Sequence, residues 1–216
     1  MARINPHQNY VITVSREMGS GGHSIGRRLA ERLGVKFCDK QVMQQMMQQF
    51  GLTIYEIERI KAKKKSWLGD FFDKIAPVAR KEVFLQSSPV SVEYSVSADD
   101  IAAAEKEILS ALVEEGPCVV TGRAGFAILR DHPNKLDVFI RCSMQNRVDR
   151  VCSKQGIDAG QARTLIDSVD ESRENYVQRI SGRSRYDSRN YDLVLNVDDL
   201  TEDEAVDYIM KFAGLQ

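Results

Sequence analysis

The sequence predicts a three-layer α/β/α sandwich built on a mostly parallel five-stranded sheet, with a helical lid and an insertion attached. Three observations carry that expectation. Five short apolar runs, at residues 10–14, 35–38, 118–121, 137–140 and 191–197, recur along the chain. Segments with apolar residues at helical spacing alternate with them, the pattern of a parallel sheet covered on both faces. The length, 216 residues, suits a single domain, 1–216, with a small appended cap.

Residues 10–14 (YVITV) form the first strand, which enters a glycine-rich stretch at residues 19–22. Ile25, Leu29 and Leu33 mark a helix over 24–33, and Gly34 ends it. Residues 35–38 are the second strand, with Asp39 at its exit. Val42, Met43, Met46 and Met47 share one face of a helix over 40–50, as lid or core packing. Thr53 and Glu56 set up a capping box for a helix over 53–65. Residues 66–97, with Trp67, Phe71, Phe72, Pro77 and Pro89, read as a partly helical insertion between the second and third strands. The pattern then becomes regular: helix 98–115, strand 118–121, a turn at Gly122 and Arg123, and a short helix 124–130. Strand 137–140, helix 143–154 opened by Ser143, and a long helix 157–180 follow. The last strand, 191–197, leads to a helix over 201–212 capped by Thr201.

Thirty basic and 31 acidic side chains leave a formal net charge of −1. No global field draws such a chain to nucleic acid or to an acidic membrane, so any anion site must be local. The basic run at 61–65 (KAKKK) reads as a solvated helix end. Cys38, Cys118, Cys142 and Cys152 form no C-x-x-C pair and have no clustered histidine, which speaks against a zinc or redox centre. Residues 1–10 lack the apolar stretch of a secretory leader, and no run approaches the roughly 18 apolar residues that span a bilayer. A cytoplasmic protein with no membrane partner is expected.

Ligands of parallel sheets bind beyond the carboxyl ends of the strands, where the strand order reverses. Strand, then SREMGSGGHS, then helix, is a recipe for a phosphate cradle there: glycines turn backbone N–H groups inward and the helix N-terminus adds partial positive charge. Gly19, Ser20, Gly21, Gly22, His23 and Ser24 are the candidate phosphate-binding residues. Against the usual G-x-x-x-x-G-K-[ST] pattern, Gly21 falls at the second glycine, Arg16 at the first and Gly22 at the lysine. That lysine normally reaches the β- and γ-phosphates, so its loss bears on catalysis more than on binding, and Arg16 is the nearest replacement cation. Ser24 is a candidate magnesium-side hydroxyl or a helix cap. His23 reads as a phosphate contact, a cap or a solvent-exposed residue. The dinucleotide fingerprint G-x-G-x-x-G competes: Gly19 and Gly21 match it, Ser24 stands at its third glycine, and Asp39 fits its ribose-binding acid.

Taken together these segments resemble the cytidylate kinase-like family, a branch of the nucleoside monophosphate kinases. The matching stretches are ITVSREMGSGGHSIGRRLAERLG, FCDKQ, CVVTGRAGFAIL, VFIRCSMQNRVDRV and NYDLVLNVDDLTEDEAV, in order along nearly the whole chain except 66–97. The resemblance implies a P-loop kinase fold, ATP and Mg2+ as cofactors, nucleotide substrates and a pyrimidine monophosphate acceptor. It also makes the lysine-free R-E-x-G-S-G-G loop a family trait. It places Asp39 in the monophosphate-binding region, and Asp170 and Arg173 at the D-x-x-R spacing of a lid over 157–190. Cytidylate kinases carry Asp-Gly-Arg-Asp after the third strand. Here Thr121-Gly122-Arg123-Ala124 keeps the arginine and drops both carboxylates.

Arg173, Arg179, Arg183, Arg185 and Arg189 form a cationic stretch before the last strand, and arginine forks suit phosphate oxygens. For the last three a solvated surface is an equal reading; Arg179 and Arg183 share a face if the helix extends that far. The reading is ATP-dependent phosphoryl transfer to a nucleoside monophosphate, CMP among the candidates. Arg16, Arg173 and Arg179 are its catalytic cations, and Asp39 and Arg123 hold the acceptor. No general base is identifiable, and an acceptor already ionised at neutral pH needs none. Two alternatives stay open: a non-catalytic nucleotide sensor, favoured by the missing lysine, and a dinucleotide-binding oxidoreductase. Residues 66–97 are assigned either to covering the acceptor site or to self-association as a homo-oligomer.

Overall fold

A computed structural model describes residues 3–51, residue 57 and residues 97–215. Its strands are β1 (Val11–Arg16), β2 (Lys36–Cys38), β3 (Cys118–Thr121), β4 (Lys135–Arg141) and β5 (Leu193–Asn196). They form one sheet in the order β2-β3-β1-β4-β5, parallel at every pairing. Its helices are α1 (Gly22–Leu33), α2 (Lys40–Phe50), α3 (Ala98–Glu114), α4 (Gly125–Ile128), α5 (Met144–Gln155), α6 (Ala159–Ser181) and α7 (Glu202–Ala213).

Side chains alternate across the sheet, and both faces are covered. Ile12, Val14, Val138 and Ile140 face Ile25 and Leu29 of α1 and Val206 and Ile209 of α7. Val11, Cys118 and Val120 face Leu109, Leu112 and Val113 of α3. Burial on both sides is why the strands read as unbroken apolar runs. From β1 the chain passes over β3 to reach β2, returns to β3, and then crosses β1 to β4. The order therefore reverses at the carboxyl end of β1, which is where the glycine loop lies.

The expected five-stranded parallel architecture is present, with shifts at element ends that have local causes. α1 begins at Gly22 rather than 24, because the glycine loop itself turns into the helix with Gly21 as N-cap. α6 begins at Ala159 rather than 157, because Asp158 and Gln161 form a capping box. It ends at Ser181, so Arg183 lies beyond it and shares no helical face with Arg179. β4 starts earlier than expected, at Lys135, where a buried Lys135–Asp137 ion pair of 2.7 Å lets polar residues enter the sheet. The expected helix over 53–65, the basic run at 61–65 and the insertion up to residue 96 lie outside the described residues. Ser97 belongs to α3 as its N-cap. The side chains of Met43 and Met46 are likewise outside, while Met47 packs half-buried against the α3 cluster. No described helix is long and apolar enough to cross a membrane.

Candidate phosphate-binding site

Between β1 and α1 the chain turns through Gly19 and Gly21, both left-handed at φ of 82° and 83°. A Cβ at Gly19 would stand 2.8 Å from the Arg147 carbonyl, so only glycine lets the loop lie this close to α5. The loop carbonyls are held by arginines on its outer side. Arg147 Nε donates to Met18 O at 2.7 Å, and Arg150 Nη1 to Gly19 O at 2.7 Å. Arg173 Nη1 donates to Arg16 O at 3.4 Å, and Arg185 donates to the same oxygen. Ser20 N–H closes back on Glu17 O and Gly22 N–H on Ser20 Oγ, each at 3.3 Å. The amides of Gly19, Gly21, His23 and Ser24 donate to no group among the described residues. Four unsatisfied N–H groups around a helix N-terminus make a cradle for an anion.

Arg16, the last residue of β1, is half-buried, and its guanidinium makes no hydrogen bond or ion pair among the described residues. A Cβ at Gly122 would overlap its Nη1, and a Cβ at Gly22 would lie 2.5 Å from its own Cβ. The arginine thus runs from the loop across to the end of β3. Burial first, then repulsion from Arg173, Arg123 and Arg185, push it down to about 9 against the pull of Asp39.

Beside it, Asp39 is the N-cap residue of α2, and its Oδ1 accepts from Arg123 Nε at 3.4 Å and Nη2 at 3.3 Å. His23 Nδ1 lies 3.2 Å from the other oxygen. Burial alone would raise the Asp39 carboxyl; the His23 hydrogen bond and the charges of Arg123 and Arg16 outweigh it and bring it to about 2. Arg123 and Ala124 both sit in the left-handed region, at φ of 56° and 51°. Non-glycine residues hold that conformation only where surrounding contacts impose it. Here the imposed contacts include Asp39 and the fully buried Glu105 of α3, whose Oε1 is 3.8 Å from Arg123 Nη1 and which also accepts from Tyr176 OH.

Most of the residues expected from sequence converge here: Arg16, the 19–24 loop, Asp39, Arg123 and Arg173. Two readings are corrected. Ser24 is not a cap, because Gly21 holds that position without a side-chain bond and Ser24 lies in the first turn of α1. His23 does not cap the helix; its Nδ1 faces Asp39 and its side chain is 53% exposed, in keeping with the solvent-exposed reading. Arg179 stands apart from the loop, its Nε 4.0 Å from Asp99 and its guanidinium 5.4 Å from the Tyr176 ring centre. Of the other arginines, Arg183 bonds Asn190, and Arg189 bonds Asp187 while 88% exposed. Arg185 is 4% exposed and lies over the Phe139 and Tyr186 rings. Sequence reasoning passed over Arg147 and Glu105, although a signal was present. Arg147 shares a helical face with Met144, Val148 and Val151, and Glu105 one with Ile101 and Leu109. A charge in an apolar stripe has to be paired.

A family model described as the cytidylate kinase-like family matches residues 11–199. A cytidylate kinase from Methanopyrus kandleri is 26% identical over 195 residues, 90% of this chain and 88% of that protein. Among solved structures, an uncharacterized protein from Eubacterium ventriosum is similar with a TM-score of 0.65 at 22% identity, over 96% of this chain and 99% of that one. The shikimate kinase of Bacteroides thetaiotaomicron is similar with a TM-score of 0.52 at 13% identity, over 95% and 99% of the two chains. At such identities these two structures speak to the fold alone.

Proposed function

The chain belongs to the cytidylate kinase-like family, and from that premise we propose that it transfers the terminal phosphoryl group of ATP to a nucleoside monophosphate, CMP being the first acceptor to test. The observation that carries this reading is the Arg16 guanidinium, set among three other arginines and next to four loop amides, all without a hydrogen-bond partner among the described residues.

In this reading the amides of Gly19, Gly21, His23 and Ser24 receive the donor phosphates at the positive end of α1. Arg16, charged at neutral pH with a value of about 9, spans the gap between that cradle and the Asp39–Arg123 pair. It is therefore placed to neutralise the group in transit, the electrostatic work that phosphoryl transfer needs most. Asp39 and Arg123 hold the acceptor, with Arg123 supplying the fork for its monophosphate. Arg173 reaches the same region from α6 through the Arg16 carbonyl. Magnesium, when bound with the donor, supplies charge neutralisation across the β- and γ-phosphates. Ser24 Oγ, free of hydrogen bonds among the described residues and in the first turn of α1, fits one of its ligand positions, since phosphate and water oxygens provide most of the rest. Arg179, beside Tyr176 and Asp99, belongs in this reading to the acceptor end and not to the transferring group.

A second reading, a nucleotide sensor without turnover, draws on one feature: Gly22 stands where the usual loop has its lysine. Coupled ADP release with ATP, magnesium and a panel of nucleoside monophosphates separates the two. Turnover with one acceptor, lost in Arg16→Ala and Arg173→Ala, is expected. ATP binding by calorimetry with no turnover on any acceptor would leave the sensor standing instead.

A further inference from the structure

Asp170 on α6 is 5% exposed, and every polar contact it makes among the described residues runs to the candidate phosphate loop or to an arginine that holds the loop. Its Oδ1 accepts from the Met18 amide at 2.9 Å, from Arg185 Nη1 at 3.2 Å and from Arg173 Nη1 at 3.4 Å. Its Oδ2 accepts from Arg147 Nη2. Arg147 then continues to Met18 O through its Nε at 2.7 Å, so one residue of the loop, Met18, is held at both its N–H and its C=O.

We propose that Asp170 is the positioning residue of the phosphate loop, aiming the Gly19 N–H into the anion cradle by way of Arg147 and the Met18–Gly19 peptide. The step from carboxylate to amide is geometric. In a trans peptide the carbonyl of one residue and the N–H of the next point in opposite directions. Fixing Met18 C=O on Arg147 therefore turns the Gly19 N–H away from α5, and that N–H is one of the four without a partner. Gly19 is left-handed and has no Cβ, so little in its own chemistry prevents this peptide from rotating. The restraint comes from Arg147, and Arg147 is in turn oriented by Asp170. Arg147 is 6% exposed, and among the described residues its other carboxylate neighbour, Glu17, stands 3.8 Å away. This loop lacks the lysine that would otherwise organise the phosphates, so the aim of its amides carries more of the binding.

The inference rests on the reading that the loop binds the phosphates of ATP, and the experiment separates the two. ATP binding is measured by calorimetry for the full chain, for Asp170→Asn, and for Val177→Ala, a buried change on the same helix in a cluster that holds no loop residue. Loop-peptide hydrogen exchange is followed in parallel. Asparagine still accepts from Met18 N–H but cannot offer Arg147 a carboxylate oxygen as well. The expected result is ATP affinity lower by roughly ten- to a hundredfold in Asp170→Asn, the range of a lost charged hydrogen bond, with faster exchange over residues 16–24. Val177→Ala should be less heat-stable yet bind ATP as the parent does. Equal losses in both variants, or parental affinity in Asp170→Asn, would overturn the proposal. Absence of ATP binding in the parent chain would overturn the functional reading and this inference together. Should Asp170→Asn fail to fold, Asp170→Glu replaces it: the charge stays opposite the arginines while the oxygen moves off Met18 N–H, and unaltered affinity there also refutes the idea.

Discussion

At the residue scale, Arg16 and Gly22 exclude each other's alternatives. A Cβ at position 22 would lie 2.5 Å from Arg16 Cβ, so a lysine there and an arginine at 16 do not fit one loop. The cation has in effect moved from the helix start to the strand end. Its path in turn requires Gly122, which has φ of +75° and whose Cβ would overlap the guanidinium. Gly122→Ala is expected to lower kcat/KM by about a hundredfold, the scale of a misplaced catalytic group. Gly34→Ala, at φ of +65° with nothing within 4 Å, carries the backbone strain alone and should leave kcat/KM unchanged. The same cation sets a pH limit. Arg16 is charged below about 9 and neutral above it, so kcat/KM should fall as pH rises through that value. A profile in which Arg16→Ala, at whatever residual rate, keeps the same alkaline limb would assign the limb elsewhere. These residues were legible in the sequence because each stands beside a loop at the ligand end of a strand. Arg147, Glu105 and the loop contacts of Asp170 were not, because they lie on helix faces whose orientation only the packing fixes.

At the element scale, the Asp39–Arg123 pair is braced by a contact between α3 and α6. Tyr176 OH donates to Glu105, a carboxylate with no exposed surface, and Glu105 in turn faces Arg123. Tyr176→Phe keeps the ring and removes the donor, which should cost about 1–3 kcal/mol and lower the melting temperature by several degrees. The loop amides are untouched, so ATP affinity should not change; a parallel loss of ATP affinity would show that the two ends of the site are coupled. Element boundaries followed the same logic of legibility. Thr201 was readable as the cap of α7, and it does form a capping box with Glu204. Asp158 was passed over as the cap of α6, because the apolar Ile157 before it extended the periodic pattern by a turn's beginning. β4 was read too short at its start, because Lys135 looks out of place in a buried strand until its ion pair with Asp137 is seen.

For the whole molecule, a net charge of −1 hides a strongly uneven field. Arg16, Arg123, Arg173 and Arg185 gather at one end of the sheet, and among the described residues Arg16 makes no ion pair, Asp39 acting on it only at longer range. Composition alone required any anion site to be local, because a net charge of −1 supplies no global field, and it left the place unspecified. Holding a half-buried cation among like charges destabilises the fold, and the cost is recovered only when an anion binds. Two opposite effects of one substitution follow. Unliganded Arg16→Ala should melt at or above the parent temperature, by up to a few degrees for a domain of this size. The stabilisation by ATP should move the other way. A ligand at a hundred times its Kd raises stability by about 2.7 kcal/mol, and the variant, binding more weakly, should show a smaller rise at the same concentration. Thermal melts of both proteins with and without ATP and magnesium measure the two effects at once. A variant that melts well below the parent without ligand would mean that Arg16 holds the fold together, and the arginine cluster would then be structural. A higher melting temperature with a diminished ligand shift is the signature of a residue kept for the anion and at the expense of the fold.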